Sequence, residues 1–498
     1  MDLFPSGLRP ARLFFLALSV IGRAHGATVA ARSMSHEDVA SAVESARDGD
    51  TVVVPAGRTE WRSTLVVDKA IALRFAGIGQ SVIADDVMAQ RPDGNPPWSE
   101  GVITFNTKPG KFYRLTGLEI DRGAARTNIY FRGSVQMTGG SAEFRIDHCA
   151  LTQVLDNGIY IGDSACGVID HCLFNMQGGQ HGVLVTHKTW RGESYGDGSW
   201  SSPAGWGGPG AVYIEDCVFT NGTARPWWAV DSWAGARWVF RHNQVFNANI
   251  TTHGTESGGL DRGTRTCEVY QNQFYDANVW PNAVELRSAS AVLWSNTASG
   301  QYRTFCSIDD YRCGDNYNYW GAADGLNPLD KNEPGPALVA THAGPNGSPQ
   351  LVVAGAQWKE NQWAGYSVID VSEPGITNFG TVSSNLANVV GFIPAARHPH
   401  VVFNTGDTVK FYKVIAALDM PGMGQSDPLR RDKQGHPVGR WPNQQIEPIY
   451  SWNNTLNGAD AGVTTRNALM QAGIHYLNNT PKPGYAPFTY PHPLALAP

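Results

Sequence analysis

The feature that most constrains this chain is a repeat. Six segments share a pattern of an apolar residue, an outward-facing residue, one more residue, then Cys or Asn, with an apolar position soon after. They are IDHCAL (146–151), IDHCLF (169–174), IEDCVF (214–219), FRHNQVF (240–246), VYQNQF (269–274) and LWSNTA (293–298). Their key positions, Cys149, Cys172, Cys217, Asn243, Asn272 and Asn296, lie 23, 45, 26, 29 and 24 residues apart in order. The long interval holds a Gly/Ser/Trp-rich stretch from Gly192 to Gly210, the mark of one rung carrying a long loop. A unit of this length with two-residue alternation cannot bury its own inner face, so successive units must stack as coils of a solenoid.

Three positions before each Cys or Asn stand Ile146, Ile169, Ile214, Phe240, Val269 and Leu293, which read as the inner face. Two positions before stand Asp147, Asp170, Glu215, Arg241, Tyr270 and Trp294, which should look outward. Coils stack ~4.8 Å apart, so Asn243, Asn272 and Asn296 can form an amide ladder, and Cys149, Cys172 and Cys217 a buried thiol stack. His148, His171 and His242 recur with the coil and read as structural. The expected fold is all-β, a right-handed parallel β-helix.

The amino-terminal segment DGDTVVVPAGRTEW (48–61), followed by the IDHC and YQNQF coils, resembles the right-handed β-helix superfamily of pectate lyases, chondroitinase B-type and alginate lyases, and polygalacturonases. The resemblance covers most of residues 36–335 and implies the fold. One fold of this kind hosts several chemistries, so it does not choose among them.

Outside the coils, a short helix is expected at His36–Arg47, where such solenoids are capped. After about Gly335 the pattern gives way to GYSVIDVS (365–372), NVVGFI (388–393), HVVFN (400–404) and DTVKFYKVI (407–415), which read as a small β-rich insertion over 336–420. The coil pattern returns at PIYSWNNTLNG (448–458), and 421–498 reads as a returning coil and an extended tail. Residues 1–26 read as an export signal: Arg9 and Arg12 precede the apolar run Leu13–Gly22, then Ala24-His25-Gly26. That run is shorter than the ~18–20 residues a membrane span needs, so the solenoid at 27–335 is expected outside the cytoplasm, secreted or periplasmic, as a monomer.

The formal net charge of −6 argues against nucleic acid as a partner, because neutralising phosphates needs a basic surface. Seven cysteines cannot all pair within one chain, and Cys306 with Cys313 bracket a loop that a disulfide could close. No Cys/His cluster has zinc spacing.

The strand after each bend supplies a second set of columns: GIYIGD (158–163), GVLVTHK (182–188), WAVDSW (228–233), ITTHGTE (250–256), AVELRS (283–288) and FCSIDD (305–310). With Ile159, Val183, Val230, Val284 and Cys306 inward, the residues Tyr160, Asp231, Glu285, Arg287 and Asp309 point outward, joined by His253 and Glu256 and flanked by Trp228 and Trp233. Asp231, Glu285 and Asp309 would repel one another unless they shared a cation, and calcium suits an oxygen-only set. Arg287 is the first choice for a catalytic base, with Arg265 and Lys188 behind it, and His253 can serve as acid or base at neutral pH. NAVELRS (282–288) resembles the N-G-x-E-x-I-R segment of alginate and chondroitin lyases at Asn282, Glu285 and Arg287, with Ala283 where that family has Gly and no match to its catalytic lysine.

Trp190, Trp200, Trp206, Trp227, Trp228 and Trp233 either stack on sugar rings or clamp long loops. The expectation is a lyase that cleaves an acidic, uronate-containing polysaccharide by β-elimination. The alternatives are a non-catalytic glycan-binding or matrix protein, and a glycoside hydrolase using Glu256 with Asp231 or Asp309.

Overall fold

The computed structural model describes residues 26–87, 101–123, 133–140, 143–153, 157–176, 181–222, 228–255, 260–277, 280–309, 338–364, 366–370, 372, 379–393, 402–413, 417–435, 442–465 and 469–496. The expected leader over 1–26 lies, apart from Gly26, outside them, as do Glu256, Trp227, Asp310 and Cys313.

Each coil visits three sheets in turn. One coil runs Gly167–Asp170 in the first sheet, Leu173–Asn175 in the second and His181–Thr186 in the third, and the next begins at Val212–Glu215. Repetition of this path builds sheets of twelve, eleven and ten strands, in which all pairs but one are parallel, and the fold is a right-handed parallel β-helix. Ile146, Ile169, Ile214, Phe240, Val269 and Leu293 all face the core with no exposed surface.

The bend between the first and second sheets is one residue in the left-handed conformation: His148, His171, Asp216, His242, Gln271, Ser295 and Asn453 have φ between 51° and 57°. That conformation strains a non-glycine residue, and hydrogen bonds around the bend hold it. Asn272 Oδ1 accepts from the backbone N–H of Asn243 at 2.9 Å, Asn296 Oδ1 from that of Asn272 at 3.2 Å, and Asn454 Oδ1 from that of Asn296 at 3.0 Å. Lower in the stack Asn243 Oδ1 serves the N–H of Cys217 at 2.9 Å, and Cys217 Sγ serves that of Cys172 at 3.4 Å. Cys in the earlier coils and Asn in the later ones fill the same position because each presents an acceptor small enough for this buried corner. The recurring histidines hold the turn from outside: Nδ1 of His148 and of His171 lies 2.9 Å from Asp147 and Asp170, and their rings stack 5.0 Å apart.

The outward residues of the first sheet are less solvated than alternation alone implies. Asp147, Asp170, Glu215 and Arg241 have no exposed surface. Arg114 pairs with Asp147 at 2.8 Å, Arg145 with Asp170 at 2.9 Å, and Arg241 with Glu215. The tail then crosses this face: Arg241 donates to the carbonyls of Phe488 and Thr489, Tyr490 Oη donates to Asp216, and the His492 N–H donates to Glu215.

The amino-terminal helix runs His36–Ser45, with the Ser35 side chain accepting from the Asp38 N–H and with Val39, Ala42 and Val43 buried on the first coil. It stops two residues short of Arg47 because Ala46 turns extended. Six strands from Leu338–Thr341 to Thr408–Lys413 form a separate antiparallel sheet around Leu351, Val368, Val390, Val409 and Phe411. The chain rejoins the solenoid at Ile449–Trp452. Cys306 faces the core of the third sheet as a free, buried thiol, so it does not close a loop with Cys313.

Candidate functional site

The third sheet carries the candidate residues on its outer face, in three columns set by strand register. The middle column runs Gln136, Tyr160, Leu184 and Asp231, and farther along Thr251, Glu285 and Ser307. A second column follows two residues later. Thr186 pairs with Trp233, and because Thr252 pairs with Leu286, His253 and Arg287 stand on neighbouring coils ~4.8 Å apart, with Asp309 on the next. A third column precedes the first, with Asn157, His181, Trp228 and Asn249 paired in order.

Asp231 is the centre of this face and is fully buried. Its Oδ1 lies 2.8 Å from Nδ1 of His253 and accepts the Ser232 N–H at 2.6 Å, while Nε2 of His181 lies 3.0 Å from Oδ2. Nδ1 of His181 in turn sits 2.6 Å from Oδ1 of Asn157. Burial alone would raise the Asp231 pKa, but the two imidazoles outweigh it and hold the carboxyl well below the usual carboxylate range. With Nδ1–H donated to Asp231, His253 keeps its Nε2 lone pair, which has no protein partner among the described residues. The imidazole is about a fifth exposed, and the edge of Trp233 packs on it at 5.8 Å.

Glu285 shifts the other way. Burial raises its pKa, Arg287 opposes that, and the charges on Asp231 and Asp309 add to it. Arg287 is nearly buried, its Nε donating to the Thr252 carbonyl at 3.2 Å. The face thus combines an oriented imidazole, a carboxyl whose pKa burial raises and a guanidinium. Two carboxyl groups of one face are pushed in opposite directions in pKa.

The structure brings Asp231, His253, Glu285, Arg287 and Asp309 onto one face, with Trp228 and Trp233 half-buried beside them. Tyr160 shares the face two coils from Asp231, its hydroxyl 2.9 Å from Thr186 Oγ1. Two further base candidates lie elsewhere. Arg265 precedes a first-sheet strand, buried under Trp200 and paired with Glu447 at 2.8 Å. Lys188 lies beyond the end of its strand and pairs with Asp261 at 3.0 Å. Glu256 is outside the described residues.

A calcium ion shared by Asp231, Glu285 and Asp309 does not match this geometry. Asp231 is engaged by two imidazoles and an amide, and among the described residues no group of three or more His, Cys, Asp or Glu is arranged to hold a metal. Two of the tryptophans take the loop-clamping use. Trp200 is fully buried between Arg262 and Arg265 and donates to the Gly263 carbonyl, and Trp206 donates to Glu447, so both clamp loops.

Sequence reasoning missed His181 and Asn157. Strict alternation assigns the residue two before an inward one to the inside, which hides His181 behind Val183. The pleat breaks there because Gly182 also faces the core: a Cβ on it would meet the Phe219 ring at 2.7 Å. The available signal was the run of small residues Gly158, Gly182, Ala229 and Ala283 immediately before Ile159, Val183, Val230 and Val284.

No protein-family model matches the chain, and no curated protein does. Among solved structures it is similar to an alginate lyase from Paenibacillus sp. str. FPU-7, at 14% identity and TM-score 0.31 over 56% of this chain and 93% of that one. It is also similar to the Family 28 exopolygalacturonase of Yersinia enterocolitica, at 10% identity and TM-score 0.25 over 57% and 74%. A mutant tailspike protein of E. coli bacteriophage HK620, in complex with a pentasaccharide, matches at 9% identity and TM-score 0.29 over 73% and 87%. At these values the likenesses bear on no residue of the site.

Proposed function

We propose that this protein is a secreted polysaccharide lyase that cleaves a uronate-containing polymer by β-elimination on the outer face of the third sheet. The observation that carries the reading is His253, fixed through Nδ1 on buried Asp231 with Nε2 left to accept a proton, one coil from Arg287. In this reading His253 Nε2 takes the proton from the carbon next to the uronate carboxylate. The electron pair left behind forms the carbon–carbon double bond as the adjacent carbon–oxygen bond breaks. Arg287 neutralises the uronate carboxylate, because a guanidinium stays charged and matches a carboxylate through two parallel bonds. Glu285, whose pKa burial raises, gives its proton to the leaving oxygen. No step requires a metal. Secretion rests on the amino-terminal pattern around Arg9, Arg12 and Leu13–Gly22.

Incubation of the full chain with alginate, pectate and glycosaminoglycans, with absorbance of the unsaturated uronate as readout, tests the reading. Product formation that His253→Ala and Arg287→Ala abolish supports it. Glycan binding without product on any of these polymers refutes the lyase and leaves the glycan-binding alternative.

A further inference from the structure

Buried polar atoms in folded proteins almost always have hydrogen-bond partners, and those that do not call for an explanation. On the outer face of the third sheet, Asn157 Nδ2, Trp228 Nε1, Asn249 Oδ1, Thr251 Oγ1 and Trp280 Nε1 are buried with no partner among the described residues. They are neighbours. Asn157 and Trp228 flank His181 in register, Asn249 is Trp228's partner on the next coil, and Thr251 lies two residues along the same strand. The Trp280 ring packs on that of Trp228 at 5.6 Å. Exchanging the two ends of the Asn157 amide does not remove the mismatch, since one end meets His181 and the other stays unpaired.

We propose that these five groups form a sugar-binding subsite beside the catalytic residues, which takes the hydroxyl groups of an uncharged ring face in the unit next to the cleaved uronate. The proposal rests on the glycan reading above. Each sugar hydroxyl donates one hydrogen bond and accepts others, as serine and threonine hydroxyls do, which suits a set that mixes N–H donors with Asn249 and Thr251 oxygens. None of the five groups is ionisable, whereas the other end of the same strand carries His253 beside Arg287. From Asn249 to His253 the strand advances about 13 Å, enough to seat adjacent units with the carboxylate at one end and hydroxyls at the other. The half-buried indoles of Trp228 and Trp280 pack on each other at a 54° angle, and in this proposal a ring enters by parting them. Their faces then lie against its C–H surface.

The test uses the full chain, tetrasaccharides of galacturonate and of mannuronate/guluronate as probes, calorimetric titration, tryptophan fluorescence and urea unfolding. Thr251→Val keeps shape and removes one hydroxyl, whereas Trp280→Phe removes the indole N–H together with part of the ring that packs on Trp228. Thr251→Val should weaken binding of a probe about 3- to 10-fold, the worth of one hydrogen bond, and Trp280→Phe by at least as much. Thr251→Val should not lower the urea midpoint, since the hydroxyl removed has no partner in the fold, and the wild-type indole emission should shift on binding. Wild-type affinity in both variants overturns the subsite, as does a lowered midpoint in Thr251→Val or failure of the wild-type chain to bind either probe. Uronate product with unchanged binding in Thr251→Val rejects the subsite and leaves the lyase standing. Weakened binding in Thr251→Val with no product from any polymer keeps the subsite and rejects the lyase.

Discussion

Asp231→Asn is the most demanding perturbation of the site, because it changes one charge and almost no volume. The wild-type carboxylate is buried and takes hydrogen bonds from His253 at 2.8 Å and the Ser232 amide at 2.6 Å, with His181 Nε2 at 3.0 Å. Charge-assisted bonds contribute about 1.5–3 kcal/mol each against about 0.5–1.5 for neutral ones, so weakening the His253 hydrogen bond and losing the His181 ion-pair contact cost about 2 kcal/mol together. The new amide also aims a donor at one imidazole, which adds about 1 kcal/mol or more. The expected loss is therefore about 3 kcal/mol, read as a lower urea midpoint at unchanged slope.

The pH dependence follows from the depressed carboxyl pKa. A carboxyl held below its unfolded value, about 3.9, stabilises the fold fully above that pH and loses the contribution as pH falls toward the folded value. The gap between wild type and Asp231→Asn should hold down to about pH 4 and narrow below it. Equal midpoints at pH 7, or a gap undiminished at the lowest pH where the fold persists, would refute the electrostatic account of this cluster. Nitrogen chemical shifts of the His253 ring provide a check independent of activity: the substitution should lower the share of the tautomer with its proton on Nδ1.

Other positions give sharper single readings. Asn272→Leu leaves the Phe240 carbonyl and the Asn243 N–H unpaired in the buried bend, and should cost about 2–4 kcal/mol in urea unfolding, whereas an exposed asparagine would cost almost nothing. Arg262→Met strips the buried Asp419 carboxylate of its cation and leaves Asp197 with Arg431 alone, and should cost about 3–5 kcal/mol; limited proteolysis should then cut within 188–210 before the coils. The Cys149, Cys172 and Cys267 thiols, pushed up by burial, should stay unreactive to a thiol reagent in the native state and react only in denaturant. Chelation by EDTA should leave activity unchanged, and a loss restored by calcium would contradict the metal-free mechanism.

The stacking was legible because one requirement, burial of an inner face, writes itself at every coil: Ile146, Ile169 and Ile214 differ from their neighbours in the same way and face the same core. The tail's path over Arg241 and Glu215 was not legible. Nothing in PKPGYAPFTYPHPL names the carboxylate that will accept the His492 N–H, since that pairing spans nearly 280 residues and depends on where the chain re-enters the stack. The same holds for Arg265, whose type suggests chemistry and whose position, between a turn and a first-sheet strand, commits it to Trp200 and Glu447.

Within the site the decisive detail is smaller than a coil. Val183 and Val230 are register partners and both face inward, so alternation correctly sends Asp231 outward. It fails one step earlier, where Gly182 and Ala229 are small enough to face the core beside those valines and turn His181 and Trp228 out. A larger residue at 182 would strike Phe219 and push the strand back toward regular alternation, carrying His181 away from Asp231. Gly182→Val should therefore disturb the Asp231–His181 contact while the Asn ladder, on the far side of the coil, stays intact. A variant that kept both histidines on Asp231, judged by their ring nitrogen shifts, would show that the break in the pleat does not set the site.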